Sequence, residues 1–145
     1  MIDLNDFAEL EYCLIKGDGS PLEKVEEAFS FGPDWIPDDY KQIFTRCDCW
    51  YLDGVGMFSP VMVPYSASHR AQIMNEDFHE LCPGHDDFFV LGDAGDNSYL
   101  VLQHTEDGDT CGFFHIYDDD WWDKQFPSFT DWAYACLEAE GSPND

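Results

Sequence analysis

The sequence predicts one α+β domain, an antiparallel β-meander sheet with N-terminal helices and a C-terminal helix packed on it. The 145 residues suit a single domain, and an apolar share of 44% with 12 Phe, 7 Tyr and 5 Trp supplies a core. Apolar residues recur at helical spacing near both ends, whereas alternation with period two dominates from residue 88 onward. Strands grouped between helices indicate helices on one face of the sheet.

Two helices are predicted before residue 33. Residues 5–16 have an apolar stripe of helical spacing, and Gly17 provides a C-terminal stop. Residues 20–32 begin with a stronger signal, because Ser20 precedes Pro21 at the first helical position and Glu23 completes a capping box.

The middle of the chain is predicted to contain two more helices and an extended segment. A proline and two aspartates open a short helix over residues 37–46. Residues 50–63 are rich in strand formers, with Gly54 and Gly56 as a turn, and residues 66–81 have a weaker helical pattern.

The second half of the chain predicts the meander and the last helix. Three strands, at residues 88–92, 98–104 and 111–117, are separated by turn-forming segments rich in Asp, Asn and Gly. A helix over residues 127–140 follows, capped by Ser128. The domain is therefore predicted to span residues 1–140, with residues 141–145 as a frayed tail.

The charge distribution argues against several classes of function. Asp and Glu number 31 against 6 Lys and Arg, so the formal net charge is −25, and Lys124 is the one base among 18 acids after residue 70. Such a field repels nucleic acid phosphates and anionic lipid, and it attracts a basic partner. We therefore expect no direct nucleic acid binding and no membrane association.

Targeting features favour a cytoplasmic location. The chain begins with acidic residues where a secretory leader has positive charge and an apolar run. The longest uncharged stretch, residues 54–68, is shorter than the roughly 18 apolar residues of a membrane span. In a reducing cytosol the six cysteines are predicted to be thiols.

The strongest candidate for a partner-binding surface is an acidic segment before the last helix, predicted to be a loop. It places four carboxylates around two indoles: Asp118, Asp119, Asp120, Trp121, Trp122 and Asp123. Carboxylates steer association with Lys and Arg, and Trp is enriched among the residues that dominate binding energies. The alternative is a solvated loop with one or both tryptophans packed beneath it.

Four aspartates of two hairpin turns are further candidates: Asp93, Asp96, Asp107 and Asp109. In a meander these turns lie at opposite ends of the middle strand, so the four side chains cannot share one small patch. Asp also favours turns for conformational reasons alone.

No metal, cofactor or catalytic residue is predicted. Residues 107–118 partly resemble a calcium loop, but Cys111 takes an oxygen-ligand position and strands replace the flanking helices. A zinc site is a second alternative, with spacings less diagnostic than paired Cys-x-x-Cys, from Cys47, Cys49, Cys82 and His85. No spacing of Cys and His nominates a nucleophile and its base.

Several motifs share their order with one known family: a capped helix at residues 20–29, WIPDDY at 35–40, a loop glycine at 54, FFVLGD at 88–93, YLVL at 99–102, GFFHIY at 112–117 and FPSFTDW at 126–132. Together they resemble the SUKH superfamily over residues 20–138. That superfamily includes immunity proteins of bacterial polymorphic toxin systems.

The resemblance implies a non-enzymatic inhibitor that is held in the cytosol and blocks a cognate toxin domain, in many cases a nuclease. The charge favours the same function, because a nuclease is basic where it holds phosphates and its inhibitor should carry carboxylates there. We therefore expect an immunity protein that binds a basic toxin domain, a nuclease, through its acidic C-terminal half. The alternatives are a regulatory or scaffold module of the same fold, and a small metal- or thiol-dependent enzyme.

Overall fold

The computed structural model describes residues 2–61 and 70–141, which form seven strands and four α-helices. The strands are β1 (Cys13–Lys16), β2 (Cys49–Leu52), β3 (Val55–Phe58), β4 (Phe88–Gly95), β5 (Ser98–Thr105), β6 (Gly108–His115) and β7 (Asp120–Phe126). The helices are α1 (Leu22–Ala28), α2 (Asp38–Ile43), α3 (Arg70–Leu81) and α4 (Phe129–Gly141).

The strands form one sheet in chain order, each antiparallel to the next. The predicted α+β class with an antiparallel meander is therefore confirmed. Asp53 and Gly54 join β2 to β3 with φ angles of 50° and 83°, and Asp96 and Asn97 join β4 to β5 with φ angles of 48° and 64°. Left-handed backbone at both central residues suits two-residue hairpin turns, because it matches the twist of the strands. Gly56, predicted for the first turn, instead lies buried in β3.

The predicted helix at residues 5–16 is wrong. Only Leu4–Asp6 form a short 3₁₀ helix, and β1 follows as the edge strand beside β2. Cys13 and Ile15 pack on the core while Leu14 is 46% exposed, so the apolar residues alternate with period two. Pairing with β2 determines the strand conformation. The local pattern of apolar residues contains no information about this partner, which lies more than thirty residues away in the chain.

Helices cover both faces of the sheet. One apolar cluster lies between the sheet and the helices α1, α2 and α4, and it includes the fully buried Tyr40, Trp50 and Phe129. A second cluster lies on the opposite face around α3 and centres on Phe78. The expectation that all helices share one face is therefore wrong for α3.

The helices predicted at residues 20–32, 37–46 and 127–140 are confirmed with changed ends. Pro21 precedes α1 and no side chain caps its N-terminus, so the capping box predicted for Ser20 and Glu23 does not form. The Ser20 backbone N–H donates instead to the Phe44 carbonyl, directly after α2. At α4 the Ser128 hydroxyl accepts from the Asp131 N–H at 3.0 Å and donates to its carboxylate, as the cap predicts.

Three sequence-based predictions extend beyond the described residues. Residues 62 and 63 of the predicted extended segment 50–63 lie outside the described residues. The same holds for residues 66–69 of the predicted helix 66–81 and for residues 142–145 of the predicted tail. Gly141, assigned to that tail, ends α4. In the described ranges, every helix is too short or too polar to cross a membrane.

Candidate functional site

Three hairpin turns bring carboxylates to one end of the sheet. The β2–β3, β4–β5 and β6–β7 turns all lie there, because the strands run antiparallel in chain order. We define the acidic rim as the six aspartates in or next to these turns: Asp53, Asp93, Asp96, Asp118, Asp119 and Asp120. Backbone register joins Gly95 to Ser98, Ser98 to His115 and His115 to Asp120.

Two of the predicted aspartates lie elsewhere. Asp107 lies in the β5–β6 turn and Asp109 follows it in β6, at the opposite end of these strands, as the meander predicts. The Asp109 carboxylate lies 2.7 Å from Nδ1 of His104, so it already has a local partner. The predicted surface therefore divides into the acidic rim and a separate distal turn.

The segment 118–123 is a loop, as predicted, only at its first two residues. Asp118 and Asp119 end the turn at residues 116–119, and β7 begins at Asp120. Pairing with β6 makes the segment a strand, and the register shifts after Trp122, where Asp123 adopts a left-handed φ of 65°. That bulge turns the Asp123 carboxylate towards the space beside Trp122.

The two tryptophans have different environments because successive strand residues point to opposite faces. Trp121 packs against Phe88 and Phe114 in the cluster under α3, with ring centroids 5.5 and 5.6 Å away. Trp122 lies on the other face, where it is 61% exposed and its ring centroid is 6.1 Å from that of Phe113. Trp121 is therefore packed in the core, as the alternative interpretation predicted, whereas Trp122 is available to a partner.

A cleft of about 460 Å³ opens beside Trp122 on the face that carries α4. Phe113 and His115 line it on β6, and Ser98 lines it on β5. Carboxylates come from three separate elements, which contribute Asp53, Asp96 and Asp123. The cleft therefore combines an exposed indole with negative charge.

Ion pairs among residues 2–61 and 70–141 involve histidine alone. Asp119 Oδ1 lies 2.7 Å from Nε2 of His85, and Asp118 Oδ2 lies 3.4 Å from Nδ1 of His115. Along the same residues no Lys or Arg forms an ion pair with a carboxylate. The positive charge that would neutralise the acidic rim is not supplied by the described chain.

Among the described residues, the side chains considered for zinc or calcium are not brought together. Cys47 belongs to the cluster under α1, α2 and α4, while Cys82 belongs to the cluster under α3, so the proposed zinc ligands are divided between the faces of the sheet. Of the residues considered for a calcium loop, Asp107 lies in the tight β5–β6 turn and Asp109 lies in β6. Across the described ranges, no three His, Cys, Asp or Glu side chains are grouped for a metal.

Buried thiols here are poor nucleophiles. Cys47, Cys49, Cys82 and Cys111 are free, as predicted. Burial raises the pKa of the Cys47 thiol to about 12 and also raises the pKa of Cys111. A reactive cysteine needs the opposite shift, because the thiolate is the nucleophile.

Sequence reasoning missed Asp53, Ser98 and His115 as members of the site. The Asp-Gly pair at 53–54 is a hairpin signal that could have placed Asp53 beside the β4–β5 turn. Ser98 shares its strand face with Leu100 and Leu102, but nothing local indicates that a cleft opens above it. No protein-family model matches the chain, and no curated protein matches it either.

Proposed function

We propose that the protein is a cytoplasmic immunity protein that binds a basic toxin domain, a nuclease, and blocks it. The order of motifs resembling the SUKH superfamily supports this, and so does a meander flanked by helices. Tyr40, at the end of the WIPDDY motif, is fully buried, and its hydroxyl donates to the Leu91 carbonyl at 2.8 Å. The tyrosine of the motif therefore joins α2 to β4.

The acidic rim with its exposed aromatic residues is the observation that carries the proposal. Six carboxylates line one end of the sheet without a Lys or Arg partner in the described residues. Tyr117, 73% exposed, lies in the β6–β7 turn, and Trp122, 61% exposed, lies in β7 just after it. Large aromatic residues beside charges that steer encounter are typical of binding hot spots.

The size of the rim suits a groove that holds a polyanion. From β3 to β7 the rim crosses four strand intervals, or about 19 Å at the usual spacing of about 4.8 Å. Nucleases hold phosphates with Lys and Arg along such a groove, and the rim would occupy those side chains in place of nucleic acid.

Co-expression with the neighbouring gene product tests the function directly. If the adjacent gene encodes a large secreted protein with a variable C-terminal domain, that domain should arrest growth when expressed alone. We expect growth to be restored by this chain and the two proteins to co-purify. A non-toxic partner would instead support a regulatory or scaffold module, and rescue without a complex would exclude direct inhibition.

A comparison of two charge-matched variants tests the surface. The rim set changes Asp53, Asp96, Asp118 and Asp119 to Asn, which tolerates the left-handed backbone at three of these positions. The control set makes the same change at four exposed aspartates elsewhere: Asp18, Asp34, Asp86 and Asp107. Both sets remove the same charge, so only its position differs.

We expect the rim set to slow association with the toxin domain by about tenfold or more at low salt, because steering depends on local potential. The control set should have a smaller effect, and the difference should shrink as added salt shortens the Debye length to about 8 Å. Equal rates for the two sets would remove the rim from the interface.

A further inference from the structure

The cleft beside Trp122 has a polar floor as well as acidic walls. Ser98 is only 7% exposed, and within the part of the chain that the structure describes its hydroxyl has no hydrogen-bond partner. Its oxygen is not sealed from the cleft, because among the described residues the one fully buried side-chain oxygen without a partner is Asp48 Oδ1. Ser98 lines the cleft, so its hydroxyl can bond to a ligand that enters the cleft and displaces water.

The walls select the chemistry of that ligand. The ring centroids of Trp122 and Phe113 are 6.1 Å apart, and the indole, 61% exposed, offers an aromatic face to a ligand. Asp53, Asp96 and Asp123 contribute carboxylates from three directions. A planar cation that stacks on an indole while its edge donates hydrogen bonds satisfies both features, and this describes a guanidinium better than an ammonium.

We propose that this cleft receives an arginine side chain of the protein partner. The inference rests on the proposed function, since it assigns one contact within the interface with the basic toxin domain. The guanidinium stacks on Trp122, its N–H groups donate to the surrounding carboxylates, and one of them donates to the Ser98 hydroxyl. A volume of about 460 Å³ lies within the usual range of ligand pockets and accommodates one such side chain.

Titration with a small probe tests the cleft without the toxin domain. N-acetyl-L-arginine amide is added to the ¹⁵N-labelled protein, with N-acetyl-L-citrulline amide as the neutral analogue of nearly the same shape. We expect saturable shifts of the Trp122 indole N–H and the Ser98 amide with the arginine probe, and at least tenfold weaker binding of the citrulline probe. Equal responses to the two probes, or shifts spread over all aspartates alike, would overturn the proposal.

Matched variants locate the binding. Trp122→Ala should weaken arginine binding about two- to fivefold, whereas Tyr117→Ala, which removes another exposed aromatic residue outside the cleft, should leave it unchanged. Ser98→Ala should weaken it about two- to tenfold. Unaltered binding in both Trp122→Ala and Ser98→Ala would refute the site.

A final comparison separates this proposal from the function on which it rests. N-acetyl-L-arginine, which has a free carboxylate and no α-ammonium, should bind more weakly than the amide probe, because its carboxylate is repelled; tighter binding of this free acid would indicate a small-molecule site and contradict a protein ligand. Arginine binding in the cleft without a toxin complex would refute the proposed function alone. A toxin complex that is unchanged by Trp122→Ala, with no arginine binding, would refute the cleft alone.

Discussion

Asn75 joins α3 to the sheet by replacing a missing strand. Its side-chain amide donates to the Val90 carbonyl at 3.1 Å and accepts from the Val90 N–H at 2.7 Å. A further hydrogen bond runs to the Ala71 carbonyl at 3.0 Å within the helix. β3 pairs with β4 at Gly56 and Asp93, so beside Val90 the amide takes the position of a neighbouring peptide group.

The change Asn75→Leu retains the number and branching of the side-chain heavy atoms and removes the hydrogen bonds. Both backbone groups of Val90 would then lack these partners in a buried site where each costs about 1–3 kcal/mol, or about 2–6 kcal/mol together. Leu has a higher helix propensity by at most about 0.7 kcal/mol, which offsets little of this. We expect the free energy of unfolding to fall by at least about 2 kcal/mol.

Urea unfolding followed by tryptophan fluorescence measures this change. The control is Gln72→Ala on the same helix, because the Gln72 side chain donates to the exposed Glu76 at 2.9 Å and not to the sheet. We expect the control to lie within about 0.5 kcal/mol of the natural protein, as is usual for surface substitutions. An Asn75→Leu variant as stable as the control would show that the amide does not replace a strand partner.

Three further predictions concern the core. Tyr40→Phe should lower the free energy of unfolding by about 1–3 kcal/mol in urea titrations, because the buried Leu91 carbonyl loses its 2.8 Å donor. Burial raises the pKa of the Cys47 thiol to about 12, so in alkaline solution the thiol ionises more readily in the unfolded chain than in the folded protein. Its contribution to stability is therefore complete below about pH 9 and is lost as pH rises towards 12. Cys47→Ala should make the fall in the urea midpoint between about pH 8.5 and about pH 11 shallower, and an unchanged slope would contradict this. Gly92→Ala should cost about 1–3 kcal/mol, because its Cβ would lie 2.9 Å from the Gly56 carbonyl oxygen. At Gly112 the nearest atom to an added Cβ is Cγ of the Gln125 side chain at 3.1 Å, so Gly112→Ala should cost less; equal thermal midpoints would be the contrary result.

The elements that the sequence predicted well are those held by local signals. The strands β4, β5 and β6 combine period-two alternation with turn residues, and the positive φ angles at Asp96 and Asn97 are what such residues favour. The helix α4 carries its own cap at Ser128. These features require no knowledge of distant contacts, and the structure confirms them.

The elements that the sequence mispredicted depend on distant partners. β1 carries the stripe of a helix but pairs with β2, and the segment at Asp120 becomes a strand because β6 lies beside it. The environment of Trp122 follows from that strand, since alternation turns Trp121 inward and Trp122 outward. Loop composition at 118–123 could not reveal this pairing.

The candidate site divides in the same way between local and distant causes. Its charge is a property of composition, which the sequence states directly. The convergence of Asp53, Asp96 and Asp123 on one cleft over Ser98 is a property of strand order and of the bulge in β7.

By itself the sequence determined a meander with flanking helices and a strongly acidic surface, because alternation, caps, turns and charge are written in neighbouring residues. Only the tertiary structure decided which carboxylates share one end of the sheet, which tryptophan is exposed and which hydroxyl faces the cleft. Those properties arise from contacts between residues far apart in the chain, whose geometry no local pattern encodes.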